Sequence, residues 1–536
     1  MPHQLISQMC GRLTMATSLA AVCLTCLPVA AQPLTQLIDQ EIQQHAGGAV
    51  SPRCDDAEFL RRVFLDLGGR LPSSTEARAF LEDGQDNKRA QLIDRLLSSA
   101  DYPRRMQQYL TSSLLERRPD AKVTDAEWSQ YLQESLAANK PWDKLVGELL
   151  FAEPRKDKTL PPQSRFFLVS GRADVHQRTR DIGRLFLGRD LMCAQCHNHP
   201  TIDDYLQADY FGLYSFLQDT PAKAQTEFES VFNPGKKTTG PKLPGGAAVD
   251  IPKFEKGQEQ QALQHRPRLL LASALPRGDN PLFVRNSVNR FWCLLMGRGL
   301  VHPLDMHHTA NPPSHPKLLQ ALATHFAEHG FDLRDLLRQI ALSDAYQRSS
   351  QLPADTGEAD VPPESYRTAI AKSLSPEQMA WAVMQATGNL ERIQQSQANP
   401  ESSFTYKDYI NGRFDGVPQT LEDIIKLFVG VYGNPPGEPE VVFNPAMGHA
   451  LFLMNEPLIL GWLESHPGNL LQRITQHQEP GPIADELYLS VLSRRPTKQE
   501  IQETAEYLQR FPTQRTRALR NLAWALLASA EFRSNH

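Results

Sequence analysis

Cysteine is scarce in this chain, with seven residues in 536. A disulfide-stapled scaffold is excluded, so apolar cores must hold the fold. Positive charge is not in excess either: 56 Lys and Arg face 61 Asp and Glu, a net charge of −5. With no basic field and no local basic patch, no nucleic-acid partner is expected. Beyond the first thirty residues no apolar run is long enough to span a bilayer. Walker loops, G-x-G-x-x-G and G-x-S-x-G are all missing, which removes the common phosphate-cradling and serine-nucleophile signatures. What is present is 40% hydrophobic and 22% charged residues, a globular composition. At roughly 150 residues per domain the length suggests two to four units.

Residues 1–31 carry one charged side chain, Arg12, then an apolar run from Leu13 to Ala30 and the small-residue end Val29-Ala30-Ala31. This is the pattern of a secretory signal peptide. An uncleaved anchor is the alternative, but the run is short and Pro28 interrupts it. The expected protein is exported, to the periplasm or cell surface, with no integral span after cleavage. Cys10, Cys23 and Cys26 leave with the segment. Cys54, Cys193, Cys196 and Cys293 remain.

The rest reads as mainly α. Apolar residues recur at three and four, and helix starts are marked by Ser73 with Glu76, Ser375 with Gln378 and Thr497 with Glu500. Residues 219–265 are rich in Pro and Gly and read as a linker or small β-excursion. It joins a helical domain at 32–218 to a second at 266–536. Residues 397–445 read as irregular. A degenerate repeat links 92–102, 336–346 and 522–532: an apolar helix, then Ser99, Ser343 or Ser529, then Tyr102, Tyr346 or Phe532 three positions on. Duplication and the general likeness of helical hairpins both account for it.

The chemistry-bearing motif is Cys193-Ala194-Gln195-Cys196-His197. C-x-x-C-H is the attachment signature of c-type haem. Two thiols three positions apart can each join a haem vinyl group, and the following His can ligate the iron. Arg178 to Met192 reads as a helix leading into it, with Arg180, Arg184 and Arg189 as candidate propionate partners. The sixth ligand is open among Met296, Met306, His307 and His308. Three alternatives remain. Zinc or another transition metal could use Cys193, Cys196, His197 or His199, with Asp203 and Asp204 nearby. A thioredoxin-like redox pair is another. The last is a plain disulfide or free thiols. His325-Phe326-Ala327-Glu328-His329 matches H-x-x-E-H, but its two His flank an apolar face and read as solvated. Cys54 and Cys293 have no assigned chemistry.

Residues 59–105 and 186–217, with C-x-Q-C-H-x-H-P over Cys193 to Pro200, resemble the planctomycete cytochrome-like domain of unknown function. Residues 280–350, with Asn280-Pro281, Arg285, Asn289-Arg290, Gly297-Arg298-Gly299 and Asn311 to Pro316, resemble its usual C-terminal partner domain, as do 372–390, 450–457 and 486–497. The resemblance implies a secreted or cell-surface bacterial protein of unestablished activity. Relatives commonly have Asp where this chain has Asn198, which removes a carboxylate between the two His. The leading expectation is an exported haem protein in electron transfer, with a redox protein as partner. The others are a metal-dependent extracellular enzyme linked to cell-surface polysaccharide and an interaction module of the envelope.

Overall fold

Helices in this chain begin where a side chain takes up the orphan N–H groups of the first turn. Ser73 and Glu76, Ser375 and Gln378, and Thr497 and Glu500 each form the expected reciprocal cap. In this computed structural model the chain is mainly α, as predicted. The structure describes residues 32–536 apart from 120–121, 154–158, 170–173, 219, 256, 355, 399–419 and 441–446. The signal-peptide segment therefore lies outside the described residues. Leu34–His536 form one compact unit. None of the described helices is long and apolar enough to cross a membrane.

Two apolar cores fill that unit. The first draws mainly on Leu34 to Tyr366, including residues on both sides of segment 219–265. The second draws on Leu374 to Phe532, together with Leu65 and Leu71. Within 219–265, Thr226–Phe228 pairs antiparallel with Lys237–Thr239. The irregular reading of 397–445 is corrected over Leu421–Tyr432, which is helical. Thr420 and Asp423 cap it, and Ile424, Phe428 and Tyr432 bury one face.

The junction of the two cores is a short N-terminal segment. Helix Asp56–Val63 runs into one π-helical turn, Phe64–Gly68, and stops at Gly69 in the left-handed region (φ 69°). The wider turn lets neighbouring residues face different ways. Phe64 and Leu67 enter the first core, Leu65 and Leu71 the second. Charged side chains of this segment are buried and tied to distant chain. Arg61 donates to the carbonyls of Phe532 (2.6 Å), Glu531 and Ser534 (both 3.2 Å). Arg62 donates to those of Tyr346 (2.6 Å) and Arg348 (2.8 Å). Asp66 accepts from Lys372 Nζ (2.6 Å), Asn535 Nδ2 (2.7 Å) and the Tyr346 hydroxyl (2.9 Å). The strand Lys372–Ser373, paired with Ser534–Asn535, brings two of these partners side by side.

The sequence repeat has a shared geometry. Ser99, Ser343 and Ser529 each donate to the carbonyl three residues back at 2.7 Å. Tyr102, Tyr346 and Phe532 are buried. Two copies also share an arginine clamp. Arg70 joins Glu76 to Asp101, and Arg494 joins Glu500 to Glu531. Each clamp follows a left-handed residue, Gly69 or Ser493.

Asp66→Ala leaves the buried Lys372 ammonium without its counter-charge. Urea unfolding should register a loss of about 3–5 kcal/mol. Adding Lys372→Met should recover part of it, because the uncompensated charge is then gone.

Candidate functional site

Helix Val175–Leu187 leads to the C-x-x-C-H turn, burying Ile182, Leu185 and Phe186. It ends five residues before Met192, the expected end. Gly188 takes a left-handed conformation (φ 66°), and a Cβ there would lie 2.5 Å from the His307 ring. The chain then crosses to Cys193–Gln195, a single 3-10 turn. Asn198 Oδ1 accepts the backbone N–H of Gln207, at the start of helix Gln207–Ser215 (2.9 Å). The carboxamide thus does the positioning that an aspartate would do there.

Cys193 and Cys196 are free and exposed. His197 Nδ1 lies 2.6 Å from the Asn198 carbonyl. A carbonyl only accepts, so Nδ1 holds the proton and Nε2 carries the lone pair. In metal-ligating imidazoles a bond of this kind fixes the ring and its tautomer. His199 has the opposite arrangement. Its Nδ1 accepts the N–H groups of Thr201 (3.2 Å) and Ile202 (3.1 Å), so the neutral ring carries its proton on Nε2. Its own N–H donates to the Tyr205 carbonyl at 2.9 Å, and the residue pins the turn.

Around the thiols the surface is apolar. Met192 (61% exposed), Leu206, Val231 (66%) and Phe232 (71%) are four of the ten large exposed hydrophobics among the described residues. The Val231 N–H donates to the Cys196 carbonyl (3.1 Å), and the Phe232 ring sits 4.7 Å from that of His197. Such a collar around a polar motif marks a surface meant to be covered.

The structure separates the other candidates. Of the three arginines, Arg180 reaches the motif, through Gln195 Oε1 at 2.7 Å. Arg184 pairs with Glu116, Asp181 and Asp305, and Arg189 with Asp204. Asp203 is exposed. Met296 is buried at a helix end, and Met306 pairs its backbone with Arg189. His307 is buried beside Asn289, and burial depresses its pKa to about 3. His308 meets Tyr205, whose ring also meets His199. Among the described residues no three His, Cys, Asp or Glu side chains converge as a metal-ligand group. In the H-x-x-E-H segment, His325 Nε2 bonds Asp335 (2.6 Å), while Glu328 and His329 are exposed at the helix end.

A second concave site went unnoticed in the sequence. A cavity of about 440 Å³ lies beside Asp66, lined by Arg105, Gln108, Glu377 and Asn535 among others. The available signal was charge on apolar helix faces. Arg105 lies between Tyr102 and Tyr109, and Asp66 between Leu65 and Leu67.

Alkylation of the folded protein, expressed from Gln32 onward, should label Cys193 and Cys196 and spare Cys54 and Cys293. Cys54 is buried, and burial raises the Cys293 pKa to about 11, leaving little thiolate. Peptide mass mapping should find two modified residues before denaturation and four after.

Residues 33–222 match the family PSCyt2, described as a protein of unknown function (DUF1549). Residues 267–423 match PSD1, a second protein of unknown function (DUF1553). No curated protein and no solved structure gives a match. The C-x-x-C-H turn lies within the first range, and the order of the two is the one the resemblance implies. The chain therefore belongs to the proteins in which a PSCyt2 domain precedes a PSD1 domain, both of unknown function.

Proposed function

We propose that the protein is an exported carrier of c-type haem at the cell envelope, bound through Cys193 and Cys196 with His197 as axial ligand. One observation carries this reading. Two exposed free thiols and an imidazole with a free Nε2 sit together inside an apolar collar. The residues suit the group. The thiols face outward, where a macrocycle has room to attach. Met192, Leu206, Val231 and Phe232 would cover its apolar face, and Arg180 stands close enough to meet a propionate. Bound haem supplies one-electron redox chemistry. The chain itself supplies attachment, ring orientation and partial exclusion of water, and the exposed collar leaves an edge open to a redox partner. Export rests on the pattern of residues 1–31.

His199 anchors the turn in this reading and does not ligate. A zinc site would need His199 to give up both backbone bonds or a fourth ligand from elsewhere.

Expression with a cytochrome c maturation system should give a positive haem stain and a c-type pyridine haemochrome spectrum. The double variant Cys193→Ala, Cys196→Ala should carry no covalent haem. His197→Ala should keep the attachment and shift the Soret band and spin state. Folded, exported protein without covalent haem would sink the proposal, and stoichiometric zinc without iron would replace it with the metal-enzyme alternative.

A further inference from the structure

The cavity beside Asp66 is walled by a buried cation whose donor groups are largely unused. Arg105 is 5% exposed and lines the cavity wall. Among the described residues its only hydrogen bond is from Nε to the Asp66 carbonyl, a long 3.4 Å. Its terminal guanidinium nitrogens make none, and it forms no ion pair. The Asp66 and Glu377 carboxylates act on it through space, but neither bonds its terminal nitrogens, and buried donors left open in a cavity wall are places for a ligand's acceptors.

The other cations around the cavity are taken by carboxylates, Asp181 among them. Asp66 pairs with Lys372, and Glu116 with Arg184 and Arg118. Asp305 pairs with Arg290, and Glu377 and Glu440 both with Arg117. Two neutral acceptors also remain open: Gln108 Oε1 and Asn535 Oδ1 are buried without a partner. Gln108 lies one turn beyond Arg105 on helix Asp101–Leu115. Asn535 reaches the same space from the C-terminal strand, held there by its Nδ2 bond to Asp66.

The geometry points to a binding site for a small hydroxylated monocarboxylate, held through its carboxylate by Arg105 and through hydroxyl donors by Gln108 and Asn535. A guanidinium fork matches a carboxylate in two parallel bonds. With the surrounding charges already balanced, a monoanion adds the least repulsion, and a phosphate dianion would press a second negative charge against Asp66 and Glu377. A volume of about 440 Å³ suits a molecule of sugar-acid size. The site is separate from the C-x-x-C-H turn and does not depend on haem.

Thermal unfolding and titration calorimetry of the full-length mature chain test this with four probes: D-glucuronate, D-gluconate, D-glucose and inorganic phosphate. At millimolar concentration at least one of the two sugar acids should raise the melting temperature by several degrees, while glucose and phosphate should not. Arg105→Gln should abolish the shift. Gln108→Glu, which places a carboxylate in reach of Arg105, should weaken binding at least tenfold. Arg105→Gln keeps an amide donor and Gln108→Glu is isosteric, and circular dichroism should show both variants folded. Protection by glucose or phosphate equal to that by the acids, equal binding by Arg105→Gln, or no protection by either acid would each overturn the assignment.

Discussion

The Asp66 carboxylate is the contact on which the arrangement of the chain depends. It holds Lys372, Tyr346 and Asn535, three residues hundreds of positions away. These bonds join the Tyr346 segment and the small sheet of Lys372 and Asn535 to one π-helical turn. Lys372 is buried and also donates to the Leu294 and Leu295 carbonyls, so its ammonium is fully satisfied only when Asp66 is present. The flanking Arg61 and Arg62 do comparable work with backbone carbonyls that would otherwise be buried unpaired. Most of the buried charge here is tolerated because it is hydrogen-bonded. Arg105, whose terminal nitrogens are not, marks the edge of the cavity.

The C-x-x-C-H turn shows a different balance. Its backbone is held tightly and its reactive groups are left free. His199 accepts two backbone N–H groups, Asn198 takes a third at the next helix start, and the Cys196 carbonyl is taken up by Val231. The thiols and His197 Nε2 face outward. A functional group held by a rigid, satisfied frame keeps its geometry when a ligand arrives, which limits the ordering cost of binding.

Much of this was legible beforehand. The reciprocal caps at Ser73, Ser375 and Thr497 are local, since both partners lie within four residues and one turn contains the whole interaction. The Ser-to-aromatic repeat is local for the same reason. The β-excursion in 219–265 shows as the hairpin Thr226–Thr239. Other features are not legible in sequence because the deciding contact comes through the fold. The helix before the motif stops at Gly188, and the His307 ring packed there comes from over a hundred residues away. Arg184 and Arg189 stand near the motif in sequence, yet Glu116 and Asp204 claim them. Leu421–Tyr432 is the exception. Its cap and apolar spacing were present, and the Pro/Gly-rich residues around it obscured them.

Sequence alone determined the family, the mainly helical class and the motif with its spacing, because these depend on residue identity over short intervals. Tertiary structure decided what surrounds the motif, since Val231 and Phe232 meet Cys196 and His197 from the loop between the strands Thr226–Phe228 and Lys237–Thr239. It also decided which arginine lies open to a ligand. Nothing in the residues around Arg105 distinguishes it from Arg61 or Arg62. The difference is that Arg61 finds carbonyls at 531–534 and Arg62 those of Tyr346 and Arg348, all brought in from distant chain, and Arg105 faces a cavity.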